Sequence, residues 1–407
     1  NDLVIPGARY HNFKDFIAFP KVPGRGLHYP SLRVARHAEL PAQVSVLAIM
    51  ERGDRLMHYP YQSFDAMIRF LREAAIDPEV TAIKTTLYRA AKESRVVNAL
   101  INAVKNGKAV TVLVELQARF NEEDNLHLAD RLAEEGARVI YSQAGLKIHC
   151  KLTLVERQRG GKVLRYCNLA TGNYNEQTAQ AYCDDSLFTS DPRLTADVAR
   201  LFRHLEGGLK DPHYAQLLVA PQFLRKQLTH LIEREIRNAK RGRPAFITLK
   251  MNNLSDPGMI ALLYKASQAG VPVRLIVRGI CCLVPGVRHL SAHVKAISIV
   301  DRFLEHSRVF VFGNGGHPQV FLSSADLMTR NLDFRVEAVW PIHDSALKQE
   351  LLDLLDIQWR DNVKARVINR SQNNRYRKRE RGHPVRAQQA IRGYLESKST
   401  PPAKAKP

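Results

Sequence analysis

Two short patterns in this chain of 407 residues set side chains that handle phosphate two positions apart. The first is His149-x-Lys151, inside Leu146-Lys-Ile-His-Cys-Lys-Leu-Thr-Leu-Val155. Its alternation predicts a half-buried β-strand. Ile148, Cys150, Leu152 and Leu154 then face a core, and His149, Lys151 and Thr153 line the opposite side. An unprotonated imidazole can attack phosphorus. An ammonium on the same face screens the incoming charge and keeps the imidazole from becoming a cation. A strand with one satisfied histidine and one solvated lysine fits the same letters, since His-x-Lys is short. The second pattern is Glu305-His306-Ser307-Arg308. It suits a general acid or a charge clamp, and equally a buried structural histidine.

Other candidates surround these two. Arg89, Arg119 and Arg278 each follow an apolar run and offer forked donors matched to phosphate, although any single one also reads as a surface ion pair. Asn168 and Asn173 in Asn-Leu-Ala-Thr-Gly-Asn-Tyr-Asn, and the hydroxyl and amide groups of Ser323, Ser324, Thr329 and Asn331, add donors. There is no GxxxxGK[ST] cradle, no GxGxxG fingerprint and no Cys/His set with zinc spacing. Phosphate binding must therefore rest on side chains.

The elements that position these residues read as α/β from about Pro41. An amphipathic helix carries Phe64, Met67, Ile68 and Leu71, and a strand over Val80–Leu87 ends before Tyr88-Arg89. A second helix shows Val96, Val97, Leu100, Ile101 and Val104 and stops at Gly107. A strand from Val110 precedes Gln117-Ala118-Arg119, a charged helix covers roughly Asn125–Glu135, and Val139–Tyr141 is extended. The grammar repeats: a strand at Ala245–Met251, an Asp256-Pro257 cap-and-start pair, a helix ended by Gly270, a strand at Val273–Val277 before Arg278, and further strands at Ala296–Val300 and Leu304–Phe312. Gly107 and Gly270 align at an offset of 163 residues, so two α/β units of about 160 residues are expected. Arginines near the C-terminal ends of parallel strands lie where open α/β sheets bind ligands.

Charge points to the partner. The formal net charge is +21, which favours a polyanion of some kind: nucleic acid, anionic lipid or polyphosphate. Residues 366–407 hold 12 Lys and Arg against 2 Glu, a net +10, and read as a basic, partly disordered tail. The tail lacks evenly interleaved aromatics, so a specific nucleic-acid partner is not expected. Five cysteines without a CxxC pair read as buried thiols in a reducing compartment, and no apolar run reaches membrane-span length.

Seven segments together resemble the bacterial polyphosphate kinase family that works through a phosphohistidine: Thr85–Arg89, Glu115–Phe120, Leu146–Lys151, Ala170–Asn175, Val277–Gly279, Asp301–His306 and Leu322–Asp326. The resemblance implies two tandem phospholipase-D-like domains, expected over 41–212 and 213–365. Residues 1–40 are then the end of an upstream head domain plus a linker, and 366–407 the tail. It implies reversible transfer of the terminal phosphate of ATP to inorganic polyphosphate, with Mg²⁺. By the same resemblance His149 is the phosphorylated residue, and His306 contacts the nucleotide and assists catalysis. Tyr182 and Arg278 match nucleotide contacts, and Lys151 and Asn173 are counted with the phosphate-binding groups. Arg89 and Arg119 match positions associated with the metal; a guanidinium has no lone pair to give a cation, so both read as phosphate clamps beside it. ATP or ADP, polyphosphate, a homo-oligomer and a cytoplasmic location with peripheral membrane association are the further implications. The alternatives are a phospholipase-D-type phosphodiesterase, weakened by Arg308 where the paired motif would carry Lys, and a polyanion-binding protein.

Overall fold

The computed structural model describes residues 22–24, 26–32, 34–41, 43–88, 94–115, 122–142, 145–378 and 383–399, with backbone alone for 122–124. Residues 1–33 form one unit and 34–407 a second, and every strand and helix among the described residues lies in the second. Its first half holds β1 (Arg55–Tyr59), β2 (Val80–Leu87), β3 (Ala109–Val114), β4 (Arg138–Tyr141), β5 (Lys147–Ile148), β6 (Lys151–Arg159), β7 (Lys162–Ala170) and β8 (Tyr182–Thr189). Helices α1 (Val46–Glu51), α2 (Asp65–Ile76), α3 (Arg95–Lys105), α4 (Glu122–Glu134) and α5 (Pro192–Leu205) accompany them. The second half holds β9 (Leu218–Ala220), β10 (Ile247–Met251), β11 (Val273–Val277), β12 (Val294–Ile299), β13 (Leu304–Glu305), β14 (Arg308–Phe312), β15 (Gln319–Ser323), β16 (Arg335–Pro341) and β17 (Ala365–Ile368). With these go α6 (Leu224–Lys240), α7 (Pro257–Gln268), α8 (Thr329–Asp333), α9 (Ser345–Arg360) and α10 (Ala387–Ser399).

Local chemistry sets the repeated helix–strand step. The Ser94 hydroxyl accepts from Val97 N–H at the start of α3, and the Asp256 carboxylate accepts from Met259 N–H at the start of α7, where Pro257 takes the first helical position. Gly107 and Gly270 follow the two helices at φ +75° and +85°, a left-handed turn that a side chain resists. Each helix buries its apolar face on the parallel strands beside it, Leu100 in one core and Leu263 in the other. Emptying either fully buried leucine to Ala would cost about 2–5 kcal/mol.

Among the described residues the strands form two sheets. One runs β1-β8-β7-β6-β2-β3-β4, the other β17-β12-β11-β10-β14-β15-β16-β5 with β9 also on β16. The parallel stretch β2-β3-β4 has its counterpart in β10-β11-β12, and antiparallel strands continue each sheet. The expected pair of α/β units is present.

The two sheets exchange strands. β5 precedes His149 in the first half, yet pairs parallel with β16 of the second sheet. β13 precedes His306 in the second half and pairs parallel with β8 of the first. The expectation of one continuous strand over Leu146–Val155 is therefore corrected: the chain changes sheets at His149 and Cys150, whose N–H groups both donate to Val336 O. Leu304–Phe312 breaks in the same way. Ile148, Cys150, Leu152 and Leu154 are buried as expected. Thr153 does not face the cleft; it is fully buried and its hydroxyl bonds Thr85 at 2.8 Å.

Within 366–407, β17 continues the second sheet and α10 buries Ala387, Gln388, Ile391 and Leu395. A count of charges hid that buried stripe. Of the cysteines, Cys282 is exposed rather than buried. No helix among the described residues is long and apolar enough to cross a membrane.

Candidate active site

Strand exchange carries each histidine to a carboxylate of the opposite sheet. His149 Nδ1 lies 2.8 and 2.9 Å from the two oxygens of Glu337 on β16. His306 Nδ1 lies 2.8 Å from both oxygens of Asp184 on β8. A carboxylate at Nδ1 accepts that nitrogen's hydrogen, so in each ring Nε2 keeps the lone pair. Both carboxylates are themselves held. Glu337 accepts from Asn331 Nδ2 at 2.6 Å and from the Ser324 hydroxyl. Asp184 accepts from the Thr171 hydroxyl at 2.7 Å.

The electrostatics suit a nucleophile at His149. Burial, then the cations Lys151, Arg335 and Arg308, hold its imidazole well below the ordinary value, so it is neutral at pH 7. Burial likewise brings the Lys151 ammonium down to about 7 against the pull of Glu337. Glu337 is pushed up to about 7 by its own burial. Lys151 Nζ donates to the His149 carbonyl and sits 4.9 Å from the Tyr88 ring centre. That ring meets His149 edge-on at 5.0 Å. Tyr88, at the end of β2, thus packs on both members of His-x-Lys.

At the second histidine, burial lowers the His306 imidazole. Burial would raise Asp184, but His306, Thr171 and Arg308 together keep it below the ordinary carboxylate value. Arg308 ties the halves together. Its guanidinium donates to Thr171 O at 3.2 Å, to Asp326 at 3.2 Å and to His306 O at 2.9 Å, with Nη1 3.3 Å from the ring's Nε2. Asn252 links onward, donating to Asp326 and His306 O and accepting from Arg278 Nε. Tyr182 lies beside His306, ring centres 5.2 Å apart.

Of the residues expected from sequence, His149, Lys151, His306, Arg278 and Tyr182 share this neighbourhood. Asn173 lines a small cavity with Tyr59 and Asp184, its buried Oδ1 without a hydrogen-bond partner among the described residues. Asn168 is excluded from phosphate contact, being fully buried and bonded both ways to Ser186. Ser324 and Asn331 serve Glu337 rather than a ligand, and Thr329 bonds Asp256. Arg89 and Arg119 lie outside the described residues. Sequence reasoning missed Glu337, Asp184 and Tyr88; the first two are 188 and 122 positions from the histidines they hold, and no local pattern announces such partners.

Two family models cover most of the second unit: Polyphosphate kinase C-terminal domain 1 over residues 45–211 and Polyphosphate kinase C-terminal domain 2 over residues 217–388. The chain is 49% identical over 403 residues to the polyphosphate kinase of Escherichia coli K12, covering 98% of this chain. The chain belongs to the polyphosphate kinase family. It is 46% identical over 405 residues to the polyphosphate kinase of Vibrio cholerae serotype O1. It spans 58% of the length of each of these relatives. The crystal structure of the polyphosphate kinase from Porphyromonas gingivalis superposes with a TM-score of 0.89 at 42% identity, over 96% of this chain and 60% of that one. The two α/β halves coincide with the two C-terminal domains that the family models match.

Proposed function

We propose that this chain carries the phosphotransfer centre of a polyphosphate kinase, moving the terminal phosphate of ATP to inorganic polyphosphate and back. The observation that carries the reading is a neutral, buried His149 whose Nδ1 is fixed by Glu337, which leaves Nε2 as the free nucleophile. In the forward direction the Nε2 lone pair forms a bond to the γ-phosphorus. The bond from that phosphorus to the β,γ-bridging oxygen breaks, and ADP leaves with the electron pair. The imidazole gains positive charge, which Glu337 balances through Nδ1–H. A terminal oxygen of polyphosphate then attacks phosphorus, the P–N bond breaks, and its electrons return to the ring. Positioning and charge neutralisation are most of the work in such transfers. Lys151, Arg278 and Arg308 supply that charge. In this reading Tyr182, Arg278 and His306 hold the nucleotide, with His306 assisting the transfer, and Asn173 is counted among the phosphate-binding groups.

Mg²⁺ belongs to this reading as part of the substrate. Among the described residues no group of three or more His, Cys, Asp or Glu is placed to hold a metal ion, and Asp184, Asp326 and Glu337 are each taken up by His306, Arg308 and His149. The described side chains do not build a resident site, so in this reading the ion enters on the nucleotide phosphates. Arg89 and Arg119, as clamps beside it, complete the proposal. We further propose the two domains over 41–212 and 213–365 as its catalytic units, a homo-oligomer, and a cytoplasmic location peripheral to the inner membrane face.

The test is incubation with γ-³²P-ATP and Mg²⁺ followed by acid and base treatment. An acid-labile, base-stable label that disappears in His149→Ala is expected. Label retained in that variant refutes His149 as the nucleophile, and no label on the native chain with ADP still released refutes the phosphohistidine route.

A further inference from the structure

The segment that delivers His306 is the short strand β13, entered through a bend at 301–303 and left through the break at His306 and Ser307. His306 and Arg308 belong to the site. Asp301, Phe303, Glu305 and Ser307 are met by other elements, and the last three are at least nine-tenths buried. On one edge the backbone is satisfied by the first sheet: Leu304 N–H donates to Ala181 O and His306 N–H to Cys183 O. Phe303 N–H and C=O are not part of that pairing, and among the described residues β13 has β8 as its strand partner.

Gln388 of α10 fills that place. Its Oε1 accepts from Phe303 N–H at 3.0 Å, and its Nε2 donates to Phe303 O at 2.8 Å and to Glu305 Oε1 at 2.9 Å. One side-chain amide thus acts as the missing neighbouring strand, and Gln388 is itself 4% exposed. The other groups of this segment are pinned as well. Arg386, two residues earlier, forks onto Asp301 at 2.7 and 2.5 Å. Lys250 bonds Glu305 and the Ser307 hydroxyl, each at 2.8 Å. Gln358 of α9 adds a bond to Glu305 at 2.8 Å, but the Phe303 N–H and C=O are met by Gln388, and buried polar groups left without partners are costly.

We infer that Gln388 is a positioning residue for His306: the C-terminal helix sets the second histidine of the phosphotransfer site through a side-chain amide that mimics a strand. This rests on the role given above to His306. Gln388 touches no substrate; it acts by fixing the backbone on which the imidazole rides. Displacing a reacting group by an ångström costs on the order of 100-fold in rate, and that is the scale at stake.

Gln388→Met keeps the length and makes none of the three bonds. On the full chain, kcat for transfer from ATP to polyphosphate is expected to fall roughly 10- to 100-fold, with KM for ATP moving less than about threefold. Far-UV circular dichroism should be unchanged. In a His306→Ala background the same substitution should cost less than about twofold, because the group it positions is gone. Gln388→Asn, one methylene short, should fall between, and carries the same cycle if the Met variant does not fold. An undiminished kcat in Gln388→Met overturns the inference, as does an equal loss with and without His306. Full activity in His306→Ala would overturn it by a different route, by removing the role of His306 itself, and label retained in His149→Ala would separately mark failure of the phosphohistidine reading.

Discussion

Gly172 is where one added carbon should disconnect His306 from its carboxylate. A Cβ built on Gly172 would sit 2.0 Å from Asp184 Oδ2 and 2.2 Å from its Cγ. Ordinary contact begins near 3.4 Å, so Gly172→Ala requires Asp184 to retreat by about 1.4 Å or the turn to give by as much. The carboxylate cannot make that move and keep its 2.8 Å bonds to His306 and its 2.7 Å bond from Thr171. Overpacking of this kind costs about 1–3 kcal/mol of stability, and misplacement on this scale costs about 100-fold in rate. The assay is steady-state transfer from ATP to polyphosphate, run beside thermal unfolding. Gly393→Ala is the control, since it lies within α10 and a Cβ there meets nothing within 4 Å. That exchange should stabilise the helix by about 1 kcal/mol and leave kcat alone. A Gly172→Ala protein with native kcat would refute the claim that the Asp184–His306 contact matters to transfer.

Three further outcomes are expected. Glu337→Gln removes the charge behind His149 and should slow phosphohistidine formation on the order of 10³-fold. With Glu337 pushed up to about 7 by burial, native labelling should weaken as pH falls through 7 and the carboxylate takes up a proton, and that acid limb should vanish in Glu337→Gln. His58, fully buried between Asp185 and Glu350, concerns stability. Burial alone would lower its imidazole, but hydrogen bonds to the two carboxylates outweigh that and raise it from 6.5 to about 9. Its stabilising contribution, on the order of 3 kcal/mol, is whole below pH 6.5 and lost as pH rises through 9. Urea unfolding midpoints should drop between pH 7 and 10, and His58→Gln should flatten that drop.

What the sequence made legible was local. β2, α3, β3 and α7 announced themselves by apolar period, and Asp256-Pro257 by its capping chemistry. Gly107 and Gly270 betrayed the duplication. The exchange of β5 and β13 was not legible, because pairing of β5 with β16 is decided nearly 190 residues downstream. His149, Lys151 and their alternation predicted one strand face, whereas the chain changes sheet inside the pattern and turns Thr153 into the core. Helix α10 was within reach: Ala387, Gln388, Ile391 and Leu395 fall on one helical face, and the basic residues around them drew attention away. Asn168 shows the reverse error, a plausible donor on paper that is consumed by Ser186.

Duplication makes two like halves, and the proposed chemistry needs unlike ones. The carboxylates supply part of that difference. Glu337 is buried enough to hover at about 7 and can share a proton with the ring it holds, which suits an imidazole that becomes cationic when a P–N bond forms. Asp184, held ionised by His306, Thr171 and Arg308, suits a ring kept in one orientation. The third member of each motif completes the contrast. Lys151 is a compact ammonium brought down to about 7, able to track the charge at its neighbour. Arg308 stays charged and forked, and it uses that fork to join Thr171 of the first half to Asp326 of the second. On the proposed route the lysine tunes the nucleophile, and the arginine fastens the halves that bring the two histidines together.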